Sequence, residues 1–240
     1  MEVDVLLIIT LGIFLGFFIQ TIIGFSGALI ALPILLVSIA LPEAISYISI
    51  FYFLSSIYFV KKEWKNIDKK IIIKLAFTSI IGLAAGISVL NYGNLLFLKK
   101  VLGIFIILYV IYSFFSKGKI KNSPFLEYIL GIFGGFFSGL FSTGGPLFVI
   151  IVKNATMDIK TFRATMFGVL GLVSIIRVPM IIFSGILKLS HLYYALFILP
   201  FFFLALFLGK KMYLKLNEEL LKNCVLLALL LSGLMLTFKS

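Results

Sequence analysis

Two clusters of glycine and hydroxyl residues are the places where this chain could do chemistry. Each cluster interrupts a long apolar stretch, and glycine permits a sharp backbone turn there. A helix that begins after such a turn presents free N–H groups and a positive dipole end, which favour a negatively charged ligand. The candidate binding residues are Gln20, Thr21, Gly24, Ser26 and Gly27 in the first cluster and Ser138, Ser142, Thr143, Gly144, Gly145 and Pro146 in the second. These residue types predict a site for a small anion.

Close helix packing is the alternative explanation for many of the glycines. A recurrence every four residues lets membrane helices approach each other closely. The glycines near that spacing are Gly12, Gly16, Gly131, Gly135 and Gly139. Packing does not explain residues 143–146 (Thr-Gly-Gly-Pro), because glycines followed by proline break a helix. We therefore expect residues 143–146 to line the site.

Arg177 is the one charged residue well inside an apolar stretch. Charge within a membrane is costly, at about 2.5 kcal/mol or more, and usually marks a functional position. We expect Arg177 to attract or gate the anion, helped by backbone that Pro179 could open. The alternative is that the side chain extends to the membrane surface near Ser184.

The positions of the acidic residues also favour an anionic substrate. All nine lie near the ends of apolar segments, so the sequence predicts no buried carboxylate relay for protons and no counter-charge for a cationic substrate. A uniporter, or a carrier of a protonated anion, fits this pattern. One cysteine and one histidine cannot form a metal cluster or a disulfide framework, and we expect neither a metal nor another cofactor.

Composition sets the fold class. Of the 240 residues, 62% are hydrophobic and only 12% are charged, which predicts an all-α polytopic membrane protein whose main surroundings are the lipid bilayer. The net charge of +12 comes from lysines at segment ends, a position suited to lipid headgroups, so a nucleic-acid partner is excluded. Full-length spans are predicted near residues 44–60, 71–90, 95–115, 164–186, 191–208 and 220–238.

The other two apolar runs, 5–41 and 125–152, are the interrupted ones. As a single helix the first would extend about 55 Å, whereas the hydrocarbon core is about 30 Å thick. It must therefore fold back, and residues 24–27 (Gly-Phe-Ser-Gly) are the place for the turn.

The interrupted runs begin an internal repeat. The similar sequences GIFLGFF and GIFGGFF start 119 residues apart, at Gly12 and Gly131. We predict two repeats, residues 1–121 and 122–240, joined at the polar segment 117–124. Each would be a glycine-interrupted helical hairpin plus three transmembrane helices, giving about eight membrane segments or more.

Charge placement predicts the orientation. If each interrupted run crossed the membrane once, the basic residues would divide eleven to nine between the two faces. If each returned to its starting face, the repeats would be inverted and the division would be sixteen to four. Basic residues collect on the cytoplasmic face. The hairpin arrangement is therefore favoured, with basic loops inside the cell, both termini outside, and Arg163 as a topology anchor.

The paired clusters resemble those of the sulfite exporter TauE/SafE family. Residues 24–33 (GFSGALIALP) stand where members typically read GxGGGx[LI]xxP, with Ser26 and Ala28 at positions that are usually glycine. Residues 142–146 (STGGP) stand where members read GxGGP. The resemblance implies a small two-repeat transporter in the cell membrane that moves sulfite, sulfonates such as sulfoacetate, or related small organic anions by alternating access.

Two other functions remain open from the sequence. Residues 24–27 also match the GxSG of rhomboid-type intramembrane proteases, in which Ser26 would be the nucleophile and His191 its base. The early position of the serine and the lack of a preceding HxxxN oppose that interpretation. A non-transporting membrane subunit or scaffold is the third alternative, although no long loop is present to dock a partner. A homodimer is compatible with any of these functions.

Overall fold

The computed structural model describes residues 2–115, 123–156, 158–213 and 218–238. Its helices are α1 (Val3–Ile23), α2 (Gly27–Leu35), α3 (Leu41–Glu63), α4 (Lys69–Tyr92), α5 (Leu95–Phe115), α6 (Pro124–Phe141), α7 (Gly145–Ala155), α8 (Ile159–Phe183), α9 (Leu189–Tyr213) and α10 (Glu218–Phe238), with a short 3₁₀ turn at Trp64–Asn66. Within this described part, seven helices are long and apolar enough to cross a membrane, namely α1, α3, α4, α5, α6, α8 and α9. The predicted class, an all-α polytopic membrane protein, is confirmed.

The same order of helices occurs twice along the chain. A long helix (α1 or α6) precedes a short one (α2 or α7), and three long helices follow. The contacts repeat as well: α1 packs on α9 and α6 on α4, while α3 packs on α8 and α5 on α10. These pairs are the ones that a two-fold relation between the halves requires. The boundary at 121/122 and the inverted orientation stay predictions, and residues 116–122 of the junction lie outside the described residues.

The first predicted break is confirmed at residues 24–26, which we call elbow 1. Gly24 has φ 94°, and its N–H bonds to the Gln20 carbonyl at 2.7 Å, which ends α1 in the left-handed geometry common at helix C-termini. Ser26 also has a positive φ, 75°, a conformation that costs a non-glycine residue free energy. Helix α2 then begins at Gly27.

The second break, elbow 2, comprises residues 142–144. Ser142 has φ 61°, and its N–H bonds to the Ser138 carbonyl at 3.0 Å. The N–H of Thr143 reaches back to the Phe137 carbonyl at 3.2 Å, so two carbonyls at the end of α6 are satisfied. Pro146 lies in the first turn of α7, where its missing N–H costs nothing.

The helices that follow the elbows are too short to cross a bilayer. Nine residues in α2 and eleven in α7 correspond to about 14 and 17 Å at ~1.5 Å per residue. A span needs about 30 Å. Each short helix therefore extends through only part of the thickness of the membrane. The elbow before it lies inside the packed protein, since Gly24, Ser26 and Ser142 are all buried.

An aspartate caps the first turn of α4 and another caps the first turn of α8. The Asp68 carboxylate accepts the N–H of Lys70 at 3.0 Å at the start of α4, and the Asp158 carboxylate accepts the N–H of Thr161 at 2.8 Å at the start of α8. The second hydrogen bond holds the pKa of the Asp158 carboxyl below its ordinary value.

Helices α4 and α6 touch backbone to backbone. A Cβ placed on Gly82 would overlap the Ile132 carbonyl of α6 and lie 2.6 Å from the Phe136 nitrogen. From the other side, a Cβ on Gly139 would lie 2.5 Å from the Leu83 carbonyl. The recurring glycines of this helix pair therefore serve close packing, as their spacing predicts.

Adding volume to this contact should destabilise the protein. We expect Gly82→Leu to cost at least the 1–3 kcal/mol typical of overpacking, because backbone rather than a movable side chain occupies the space. Ala85→Leu is the matched control, since Ala85 lies on the exposed side of the same helix and should change stability by about 0.5 kcal/mol or less. Thermal unfolding in detergent compares the variants, and equal melting temperatures would contradict the packing argument.

Candidate functional site

Arg177 is the centre of the candidate site. Its side chain is only 3% exposed, and Nη1 donates hydrogen bonds to Ser49 Oγ on α3 at 2.6 Å and to Ser142 Oγ in elbow 2. The side chain therefore joins α8, α3 and elbow 2 and does not extend to the end of its helix near Ser184. Of the two sequence-based interpretations of Arg177, the structure supports burial within the protein.

The other edge of the same guanidinium is buried but makes no hydrogen bond within the described residues. Nε and Nη2 of Arg177 are buried and have no hydrogen-bond partner among the described residues. A buried donor without a partner costs about 1–3 kcal/mol, and more when it is charged. These two nitrogens form a planar fork that matches two oxygens of one anionic group. The arrangement is suited to a bidentate oxyanion ligand.

A small cavity adjoins this guanidinium. It is lined by Tyr52, Ser138, Ser142, Leu170, Val173, Ser174 and Arg177. Its volume is about 10 Å³, which is room for about one water molecule. The lining residues of α3 and α8 lie in the middle turns of these two long helices, so the cavity lies near the middle of both spans.

Hydroxyl groups around the cavity divide into those already used as donors and those that are not. Ser49 donates to the Ile45 carbonyl at 2.6 Å, and Ser174 donates to the Leu170 carbonyl at 2.7 Å. The hydroxyl of Ser142 accepts from the guanidinium and so retains its own proton for a further acceptor. The cavity thus offers hydrogen-bond donors and no carboxylate.

Tyr52 connects the cavity to the start of α2. Its phenolic oxygen accepts the Ala28 N–H at 3.1 Å, so it satisfies one of the free donors of that helix. The phenolic proton remains available to a ligand in the cavity. Elbow 1 therefore contributes to the site through Tyr52 and the positive end of α2.

The predicted residues of elbow 1 have different positions. The Gln20 amide nitrogen reaches Ser55 Oγ at 3.4 Å, while its Oε1 is buried beside Gly27 without a partner among the described residues. Thr21, however, donates its hydroxyl to the Phe17 carbonyl at 2.7 Å and packs against α9. The structure therefore does not bring the Thr21 hydroxyl to the cavity.

The second cluster contributes two residues, Ser138 of α6 and Ser142 of elbow 2, to the lining of the cavity. Thr143 Oγ1 is buried without a partner among the described residues. A Cβ on Gly144 would overlap both the Gly134 carbonyl and Ser138 Oγ, so glycine is needed there for the turn to pack. Ser138 itself is 2% exposed and lines the cavity.

Elbow 1 touches the start of α7, the helix that follows elbow 2. A Cβ on Gly145 would lie 3.6 Å from the Cβ of Phe25 and 4.0 Å from the Ser26 nitrogen. Pro146 is buried next to this contact at the start of α7. The two breaks are therefore neighbours in the fold, while the binding role of their residues stays a prediction.

The contribution of α3 was not predicted from the sequence. Ser49 and Tyr52 contact the guanidinium and the cavity, and Ser46, Ser55 and Ser56 continue a buried line of hydroxyls along the same helix. Their spacing of three or four residues within an otherwise apolar segment places them on related helix faces. That spacing is the signal that could have identified them.

Arg163 has a larger role than a surface anchor. Its Nη2 donates to the Thr21 carbonyl at 2.6 Å, so its charge lies at the C-terminal end of α1, where the helix dipole favours a cation. The guanidinium carbon also lies 3.6 Å from the centre of the Tyr213 ring. Arg163 thus holds α8, elbow 1 and α9 together.

The residues of the protease alternative have separate partners. His191 Nδ1 accepts the Lys188 N–H at 3.0 Å, and its ring packs on Tyr47 with ring centroids 5.3 Å apart. Ser26 instead lies in elbow 1 before α2. No hydrogen bond found among the described residues joins this serine to the histidine. Among the residues that the structure describes, no three acidic, histidine or cysteine residues lie close enough together to bind a metal ion.

Comparison with known proteins agrees with this geometry. A family model described as the sulfite exporter TauE/SafE matches residues 8–236. A protein of Methanocaldococcus jannaschii, named a probable membrane transporter protein, is 31% identical, and the match covers 73% of each chain. No solved structure gives a significant match. The chain therefore belongs to the sulfite exporter TauE/SafE family and is a membrane transporter.

Proposed function

We propose that this protein carries a small oxyanion, such as sulfite or an organosulfonate, across the cell membrane by alternating access. The observation that carries the proposal is the buried Arg177, whose Nε and Nη2 have no hydrogen-bond partner among the described residues and form a fork that matches two oxygens of one anion. The family description, which names sulfite export, supports the substrate class.

The surroundings of the cavity favour an anion over a cation. Its lining consists of one guanidinium, one phenol, serine hydroxyls and apolar side chains. An anion would receive the fork of Arg177 together with the protons of Tyr52 and Ser142. A cation would meet a like charge with no carboxylate beside it, which is unfavourable at low dielectric constant.

The size of the cavity and the contacts towards its two ends support alternating access. A volume of about 10 Å³ is too small for a sulfite ion, so the elbows must separate for the substrate to enter. Towards one end, Ser46 Oγ donates to the Ile186 carbonyl at 3.0 Å; towards the other, Arg163 holds the Thr21 carbonyl. We propose that these contacts open in turn.

The orientation belongs to the same proposal. The basic loops would lie in the cytoplasm and both termini outside, as charge placement predicts. The Arg163 end of the cavity would then be the cytoplasmic end, because Arg163 lies in the second turn of α8 beside the basic loop, and the Ser46 end would face outside.

Replacing Arg177 tests the proposed function directly. We expect Arg177→Met to weaken sulfite affinity at least about 100-fold, because two charge-assisted hydrogen bonds of about 1.5–3 kcal/mol each are lost. Arg177→Lys keeps the charge without the fork and should lose about tenfold. Uptake of radiolabelled sulfite into proteoliposomes measures the effect. Lys160→Gln, at an exposed position on the same helix, is the control and should transport normally.

Two outcomes of that assay would contradict different parts of the proposal. Sulfite and sulfonate uptake no faster than in empty liposomes would refute the substrate class. Wild-type uptake by Arg177→Met would refute the site while leaving the transport function in place.

A site residue also differs from a structural residue in its effect on stability. Arg177 is buried with no carboxylate partner among the described residues, so its charge costs free energy in the absence of ligand. We expect unliganded Arg177→Met to melt at the same temperature as the wild type or higher, in detergent-purified protein. Phe167→Ala, in the packed core of the same helix, should lower stability by about 3–5 kcal/mol and shows the sensitivity of the assay. A loss as large for Arg177→Met would mean that the arginine is structural.

A further inference from the structure

The cavity contains one full positive charge. Arg177 supplies it, and the remaining lining residues are neutral hydroxyl and apolar side chains. Helices α3, α4, α6 and α7 and the short turn Trp64–Asn66 all pack against α8. Of the titratable groups on these elements, Tyr52 of α3 faces the guanidinium, with which it interacts electrostatically.

The remaining titratable groups of these elements lie towards the helix ends. They are Glu43, Tyr47, Tyr58, Lys61, Lys62 and Glu63 on α3, Lys65 in the short turn, Lys69, Lys70, Lys74 and Tyr92 on α4, Glu127 and Tyr128 on α6, and Lys153 on α7. Two of these groups, Lys74 and Glu127, form an ion pair, so their charges neutralise each other. The full charge that a ligand meets in the cavity is therefore that of Arg177.

The charge of the ligand then decides how well it is accommodated. A singly charged oxyanion neutralises the guanidinium, and the complex leaves no net charge in the low-dielectric interior. A doubly charged anion of the same shape leaves one negative charge uncompensated. The effective penalty for a buried uncompensated ion is several kcal/mol. The phenol of Tyr52 and the hydroxyls of Ser138 and Ser142 could donate hydrogen bonds to it but add no second full charge.

We propose that the site selects singly charged oxyanions and rejects doubly charged ones of equal size and shape. The inference rests on the proposed function and adds the charge state of the substrate to it. An anion that titrates near neutral pH binds in its protonated, singly charged form. Its apparent affinity therefore falls about tenfold for each pH unit above its second pKa, because the bound form becomes that much rarer.

Methanesulfonate and methylphosphonate form a matched pair of probes. Both present three oxygens on a tetrahedral centre bearing one methyl group, but methanesulfonate stays singly charged whereas methylphosphonate gains a second charge as pH rises. We expect both to stabilise the detergent-purified full chain at about pH 6. At about pH 9 the methanesulfonate shift should persist and the apparent affinity for methylphosphonate should be at least tenfold lower.

The controls separate the ligand's charge from changes in the protein. Constant methanesulfonate binding shows that no protein group, Tyr52 included, causes the loss. Arg177→Met should bind neither probe, and Lys160→Gln should behave like the wild type.

Each remaining outcome overturns one of the two proposals. Equal methylphosphonate binding at both pH values would refute charge selection while leaving the anion site in place. Methanesulfonate binding without methylphosphonate binding at about pH 6 would also refute it, because charge would then not be the discriminating property. If neither probe binds at either pH, or if both still bind to Arg177→Met, the anion site itself is refuted.

Discussion

The buried guanidinium of Arg177 is the constraint on which the rest of the site depends. A cation in the middle of a membrane protein must have hydrogen-bond acceptors or lose stability. Ser49 and Ser142 satisfy one nitrogen, and no side chain or carbonyl of the described residues satisfies the opposite edge. The fold therefore holds the side chain in a defined orientation and leaves the ligand-binding edge unpaired. Preorganisation of this kind means that no hydrogen bond to these two nitrogens has to be broken when a ligand binds to them.

The interrupted helices make that orientation achievable. Elbow 2 brings Ser142 to the guanidinium, and elbow 1 brings the start of α2 to Tyr52 on the other side of the cavity. Irregular backbone at membrane depth is tolerated only when protein or a polar cavity surrounds it. Here both conditions hold, because the elbows are buried against each other through Gly145 and Phe25. The helix breaks thus place polar groups around the buried charge of Arg177, and the polar surroundings in turn make the irregular backbone tolerable.

The sequence predicts those parts of the site that depend on local chemistry. The consecutive Gly144, Gly145 and Pro146 disfavour a continuous helix, and Gly24 can take the positive φ that ends one, so both turns could be predicted. Arg177 is the one charged residue well inside an apolar segment, so the central charge could be predicted as well. The contribution of Tyr52 could not, because it depends on which face of α3 meets α8. The hydroxyl of Thr21 does not reach the cavity for a physical reason. Within a helix its hydroxyl can bond to the carbonyl four residues earlier, and there it does so with Phe17.

The backbone contact between α4 and α6 implies a difference between the two halves. Its counterpart, α1 against α9, has one close backbone approach, where a Cβ on Gly209 would lie 2.9 Å from the Phe18 carbonyl oxygen. Aromatic side chains also meet there, with the rings of Phe17 and Phe202 edge to face and their centroids 5.2 Å apart. Aromatic rings can rotate and slide past one another with small adjustments. The Ile132 carbonyl packs directly against Gly82, so backbone atoms there cannot move past each other in this way. Sliding of one helix along the other is therefore more restricted between α4 and α6 than between α1 and α9.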